Sequence, residues 1–128
     1  MTLKLGVERG KLTLEPEYKT DEEITFTASY SDGQFSGQVT SSDYIVGGPV
    51  ALFEGMAADW RGWEGERKWS DLESSLVLRA TTDSVGHIRI RVEMDRHHPP
   101  GRLVGEVMVE AGQLIGIAKK LGELFRPL

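Results

Sequence analysis

Alternating apolar and polar residues on both sides of a tight-turn dipeptide constrain this chain more than any other feature. In "EITFTASYSDGQFSGQVTS", Glu23 to Ser41, side chains at every second position are apolar or small, and Asp32-Gly33 interrupts the run with residues that tolerate positive φ. A turn at Asp32-Gly33 flanked by Ser31 and Gln34 sets Tyr30 opposite Phe35, Ala28 opposite Gly37 and Phe26 opposite Val39, so one face of the pair is apolar. In "LKLGVERGKLTLEP" a turn at Arg9-Gly10 sets Val7 against Leu12 and Leu5 against Leu14, with Glu8 and Lys11 beside it. The stretch "LVLRATTDSVGHIRIRVEM" discriminates between loops, because a four-residue loop would pair Arg79 with Ile90 and mix the faces. A three-residue loop, Ser84-Val85-Gly86, sets Ala80 opposite Ile90, Leu78 opposite Val92 and Leu76 opposite Met94. The segment "LVGEVMVEAG" then fits an antiparallel return beside Ile88 to Met94, with Val92 facing Gly105. The expectation is seven strands.

Two other segments carry helical periodicity. In "GGPVALFEGMAADWRGW", Pro49 suits a first helical position, and Leu52, Phe53, Met56, Trp60 and Trp63 recur at helical spacing. In "GQLIGIAKKLGELFRPL" the stripe is Leu114, Ile117, Ala118, Leu121 and Phe125, ending at Pro127. Strands apolar on one face and helices apolar along one stripe predict a single α+β domain over residues 1–128. Its expected form is an antiparallel sheet of about seven strands with two helices packed on one face. A chain of 128 residues is the size of one such domain.

Charge and composition narrow the functional classes. Fifteen Lys and Arg against twenty Asp and Glu give a net charge of −5, which disfavours a phosphate-backbone binder and suits a basic protein partner. The absence of cysteine removes thiolate nucleophiles, disulfides and cysteine zinc sites. The first residues lack the apolar core of a signal peptide and no run approaches the ~18 apolar residues of a membrane span, so a cytoplasmic protein is expected. No G-x-x-x-x-G-K-[ST] or G-x-G-x-x-G loop is present, and no cofactor is implied. Asp95, His97 and His98 in "MDRHHPPGR" fall in a diproline loop, and adjacent histidines on an extended path point apart, so no metal is assigned.

Three groups of residues could nevertheless form a site. All three tryptophans lie within "WRGWEGERKW", residues 60 to 69. Trp60 and Trp63 read as core on a helix face, and Trp69 as a plug at the end of the sandwich. The functional reading is a contact surface made by Trp63 and Trp69 beside Arg61, Arg67 and Lys68. Extending the last hairpin's register aligns Asp83, His87 and Glu110 in one outward row, where two carboxylates could orient the imidazole for acid-base work or pH sensing. A second row holds Arg79, Arg91 and Glu106, in which two opposed arginines need either Glu106 or an external anion. Charged rows are also how an antiparallel sheet keeps its outer face solvated.

The central motifs Trp60-Arg61-Gly62-Trp63-x-Gly65, Trp69, Leu72-Glu73, Leu76, Leu78, Ala80, Asp83 and Gly86-His87, with Glu110 to Leu114, resemble an uncharacterised bacterial domain family of unknown function. The likeness spans roughly residues 50 to 125, and departs at Asp71, where the family pattern favours serine. The order of elements is also similar to that of the immunity proteins of wall-associated polymorphic toxins. That resemblance implies binding and masking of a toxin domain without catalysis, and brings no catalytic residues with it. The expected function is a small acidic binding protein with a basic partner, or one that dimerises through an exposed strand edge. The alternative is a small enzyme or small-ligand binder using His87, Asp83, Glu110 and the arginine pair.

Overall fold

The computed structural model describes residues 1–128. It is an α+β structure in which the strands divide into two four-stranded antiparallel sheets instead of one sheet of seven. The first sheet holds β1 (Leu3–Leu5), β2 (Lys11–Lys19), β3 (Ile24–Ser31) and β4 (Ser36–Ser42) in that order. Helix α1 (Val50–Ala58) follows. The second sheet holds β5 (Arg67–Ser70), β6 (Leu76–Thr82), β7 (His87–Arg96) and β8 (Gly101–Glu110), again in order. A 3-10 turn at Ala111–Gln113 leads into α2 (Leu114–Leu124). The eighth strand is β5, whose "RKWS" is too short to show alternation in the sequence.

Each sheet buries one face, and the two faces and both helices share one apolar cluster. Leu12, Leu14, Phe26 and Ala28 of the first sheet and Leu78, Ala80, Ile90 and Val92 of the second are fully buried in it. The Tyr30 ring packs directly on the backbone of Gly105, where an added Cβ would lie 2.3 Å from the ring. That approach requires glycine. Along the same face of β3, Phe26 meets β5 and the residue that caps α2: Phe125 packs edge-on at 5.0 Å and the Trp69 ring lies 6.4 Å away. The helices contact each other and contribute Leu52, Phe53, Met56, Leu114, Ile117, Leu121 and Leu124. Such side chains each stabilise the fold by about 1.5–3 kcal/mol on full burial.

The registers test the hairpin readings individually. The β6–β7 pairing is Ala80↔Ile90, Leu78↔Val92 and Leu76↔Met94, with Gly86 at φ +85, as the three-residue loop requires. The β7–β8 pairing also has Val92↔Gly105. The other two hairpins keep the expected face but slip by two residues. In β3–β4, Tyr30 pairs with Gly37, Ala28 with Val39 and Phe26 with Ser41. The turn is centred on Gly33-Gln34, because Gly33 takes φ +93 and Asp32 Oδ1 accepts the N–H groups of Gln34 at 3.0 Å and Phe35 at 2.8 Å. Phe35 is left exposed. In β1–β2, Leu5 pairs with Leu12 and Leu3 with Leu14. Val7 leaves the hairpin and its N–H donates to Met108 O at 2.9 Å, joining this loop to β8 of the other sheet.

The tryptophan reading needs two corrections. Helix α1 ends at Ala58, so Trp60 and Trp63 do not continue its stripe. Gly62 N–H donates to Asp59 O at 2.8 Å in a turn that carries Trp60 outward, 54% exposed, beneath the Arg61 guanidinium. Trp63 packs against the core and its indole N–H reaches Ala80 O at 3.4 Å. Trp69 is buried, with its N–H on Gly47 O at 3.0 Å.

Candidate functional site

Alternation along β6, β7 and β8 sends the apolar set inward and leaves a charged outer face. Two rows cross it. One runs Lys68, Arg79, Arg91, Glu106, and the next runs Ser70, Val77, Glu93, Val104. Arg79 and Arg91 are direct cross-strand partners, an arrangement that repels unless an anion lies between them. That anion is Glu93, not Glu106. Glu93 Oε2 accepts Arg79 Nε and Arg91 Nε, each at 2.8 Å, and Arg102 lies 3.5 Å from Oε1. Glu106 pairs instead with Arg89 at 3.3 Å. Arg79 also donates to Glu66 at 2.8 Å.

Glu93 is 7% exposed although it sits on the outer face. Burial pushes its carboxyl up, but the hydrogen bonds from Arg91 and Arg79 outweigh this and hold it below the usual carboxylate value. Arg79 is raised by its hydrogen bonds to Glu66 and then to Glu93. The result is a fixed fork of guanidinium groups. Arg91 and Arg102 remain 56% exposed at the side chain, with N–H donors beyond those given to Glu93. Glu93 and Arg102 escaped the sequence reading. Glu93 was accessible to it, since it lies two residues beyond Arg91 on the same face and diagonal to Arg79.

The second row of interest brings its three members together. His87 pairs with Glu110 across β7–β8, and its Nδ1 lies 3.0 Å from Asp83 Oδ2, while Nε2 lies 3.8 Å from Glu110 Oε2. Asp83 is also the organiser of its turn. The backbone N–H groups of His87 at 3.0 Å and Val85 at 2.9 Å hold its carboxyl below the usual range. All three side chains are more than two-fifths exposed. Glu110 has a further role, since its side chain and that of Gln113 cap the turn leading into α2 reciprocally.

Of the tryptophans, Trp69 is buried in the core, whereas Trp63 is half-buried with the Arg67 guanidinium 5.1 Å from its ring centre. No group of three or more His, Asp or Glu is disposed to hold a metal ion. No helix is long and apolar enough to cross a membrane. The arrangement offers hydrogen bonds and charge, and the side chains that meet the His87 ring are those of Asp83 and Glu110.

Neither a curated protein nor a solved structure is significantly similar to the chain. A family model described as a family of unknown function, DUF6228, matches residues 6–127, and the chain belongs to that family.

Proposed function

We propose that this is a small acidic protein that binds another protein without catalysing a reaction, immunity-like in masking its partner, and that it works in the cytoplasm. The outer face of the second sheet is the contact surface. The observation that carries this reading is the Glu93 cluster: one buried carboxylate holds Arg79 and Arg91 by hydrogen bonds with Arg102 in ion-pair range, while the heads of Arg91 and Arg102 stay more than half exposed. Arginines held in this way lose little further freedom on binding and are suited to bidentate contacts with carboxylates. Trp63, backed by Arg67, and the exposed Trp60 lie in the segment that leads into the edge strand β5 of the same sheet. The net charge of −5 favours a partner of net positive charge, while the arginine fork would take individual acidic side chains within it.

Affinity capture from the native lysate tests this. A stoichiometric basic protein that is retained by the wild type and lost with Arg91→Ala plus Arg102→Ala supports the proposal. Retention of that protein by the double variant removes the outer face from the account.

A second reading is acid-base chemistry or small-ligand binding at His87, favoured by the carboxylates on either side of its ring. An NMR titration of the His87 ring that matches an unfolded-chain histidine would eliminate it.

A further inference from the structure

We infer that β4 is a self-association edge, through which two copies of this chain pair antiparallel about a two-fold axis to join their first sheets. This edge shares Arg102 with the proposed partner surface on the second sheet, and its test leaves Arg91 and Arg102 untouched.

The backbone of β4 is half unpaired. Asp32 N–H donates to Phe35 O and Asp43 N–H to Ile24 O, both at 3.1 Å, at the two ends of the β3–β4 ladder. Antiparallel bonding alternates along a strand, so between those ends Gly37, Val39 and Ser41 exchange bonds with β3. Ser36, Gln38, Thr40 and Ser42 then direct their N–H and C=O groups away from the sheet. No backbone hydrogen bond outside the helices and strands involves any of these four residues.

The other sheet edges are short, partly covered or guarded: β2 beyond Leu14 carries Pro16, a bulge and charges, and the uncovered end of β8 carries Arg102. β1 has three residues and β5 four. On β8, Met108 O accepts Val7 N–H at 2.9 Å, and the Glu106 N–H and C=O both meet the Tyr30 hydroxyl at 3.3 Å. β4 has seven residues, "SGQVTSS", with no charge, no proline and no bulge, so it carries none of the usual guards against pairing.

Charge selects a second copy as the occupant. Clefts run along the edge: Arg96 and Arg102 line the Ser36 end, Asp95, Arg96, His97 and His98 the middle, and Glu23 and Glu73 the Ser42 end. A two-fold axis at Val39 pairs Gln38 with Thr40 of the second copy and Ser36 with Ser42 of the second copy. Each of these positions is one whose N–H and C=O point outward, so the hydrogen-bond phase is correct. The same operation brings the basic end of each copy to the acidic end of the other, twice by symmetry. Val39, partly buried in the single chain, meets its own counterpart.

Sedimentation velocity over a concentration series tests this. The expected result is a dimer that Gln38→Pro converts to a monomer with unchanged circular dichroism, because the Gln38 N–H has no partner within one chain. Arg96→Glu and Glu73→Arg should each raise the dissociation constant about tenfold, and the double variant should restore it, since both pairs are again opposite in sign. The charge-exchange result holds even if the proline variant fails to fold. A wild type that stays monomeric up to about 100 µM, the range of weak transient contacts, overturns the inference. So does a dimer indifferent to both the proline and the charge exchange.

Discussion

Replacing Glu93 by Gln keeps the side-chain shape and removes the one charge that three arginines share. Oε2 accepts two charge-assisted bonds of 2.8 Å, from Arg79 and Arg91, whose side chains are 31% and 56% exposed. A hydrogen bond to a charged group contributes about 1.5–3 kcal/mol, with the lower end appropriate to a half-solvated donor such as Arg91. Glutamine retains an acceptor oxygen and recovers about 1 kcal/mol of neutral hydrogen bonding, so the loss from this source is about 2 kcal/mol. The exposed charges of Arg79 and Arg91 then face each other without an intervening carboxylate, adding about 1 kcal/mol that salt screens. With unfolding entropy scaling with length, about 3 kcal/mol corresponds to a fall of about 10 °C in Tm for this chain. Calorimetry at low salt should show that fall, and at about 0.5 M salt roughly a third of it should return. The pH dependence follows from the direction of the Glu93 shift. Its ordinary value is 4.5 and its folded value is lower, so its contribution is fully present above 4.5 and disappears as pH falls through the folded value. The difference between wild type and Glu93→Gln should therefore be constant near neutrality and shrink in acid. A Tm change below about 2 °C at neutral pH and low salt would show that solvent replaces the carboxylate and that the fork is not built around it.

Three further perturbations probe other parts of the structure. Asp71 accepts the Ser41 hydroxyl at 2.6 Å and the Ser75 N–H at 2.8 Å, linking β4 to the second sheet, so Asp71→Ala should cost about 3 kcal/mol in urea unfolding. Ser41→Ala should cost less than that, and the pair should show a coupling above about 0.5 kcal/mol in a double-mutant cycle. Gly105→Ala places a methyl group against the Tyr30 ring and should lower stability by about 1–3 kcal/mol, read by thermal unfolding, with Tyr30→Val in the same chain relieving part of the loss. Ile45 holds φ +66 while 75% exposed, so Ile45→Asn should raise stability by up to about 1 kcal/mol in the same assay.

What alternation can specify explains which sequence readings match the structure. A side chain's face depends on parity, so Leu12, Phe26, Ala28, Leu78 and Ile90 are all recoverable as core from their positions alone. A slip of two residues preserves parity, and the first two hairpins slip by that amount. In each case the deciding contact lies beyond the apolar pattern: the Asp32 side chain capturing two turn amides, and Val7 N–H crossing to Met108 O. In the third hairpin parity excluded the four-residue loop, which would have placed Arg79 against Ile90, and the three-residue loop is pinned by Gly86 at φ +85 and by Asp83 Oδ1, which accepts the N–H groups of Val85 and His87. For that reason the Asp83–His87–Glu110 row and the Arg79–Arg91 opposition were legible before any coordinates, while the identity of the neutralising carboxylate required side-chain reach as well as register.

The division into two sheets was not legible, and the reason is physical. Strands buried on one face carry the same apolar alternation whether a helix or a second sheet covers them. Only small residues at close approaches distinguish the two cases. Gly10 against the Glu106 carbonyl, Gly105 beneath the Tyr30 ring and Gly37 against Leu103 are three such approaches, and none of these glycines announces a facing strand from its sequence neighbours. The same division creates the open edge at β4, since a continuous sheet of seven strands would have paired it on both sides. Its uncharged "SGQVTSS" lacks the charge or proline that commonly marks an open edge, so no residue in it signals where the first sheet ends.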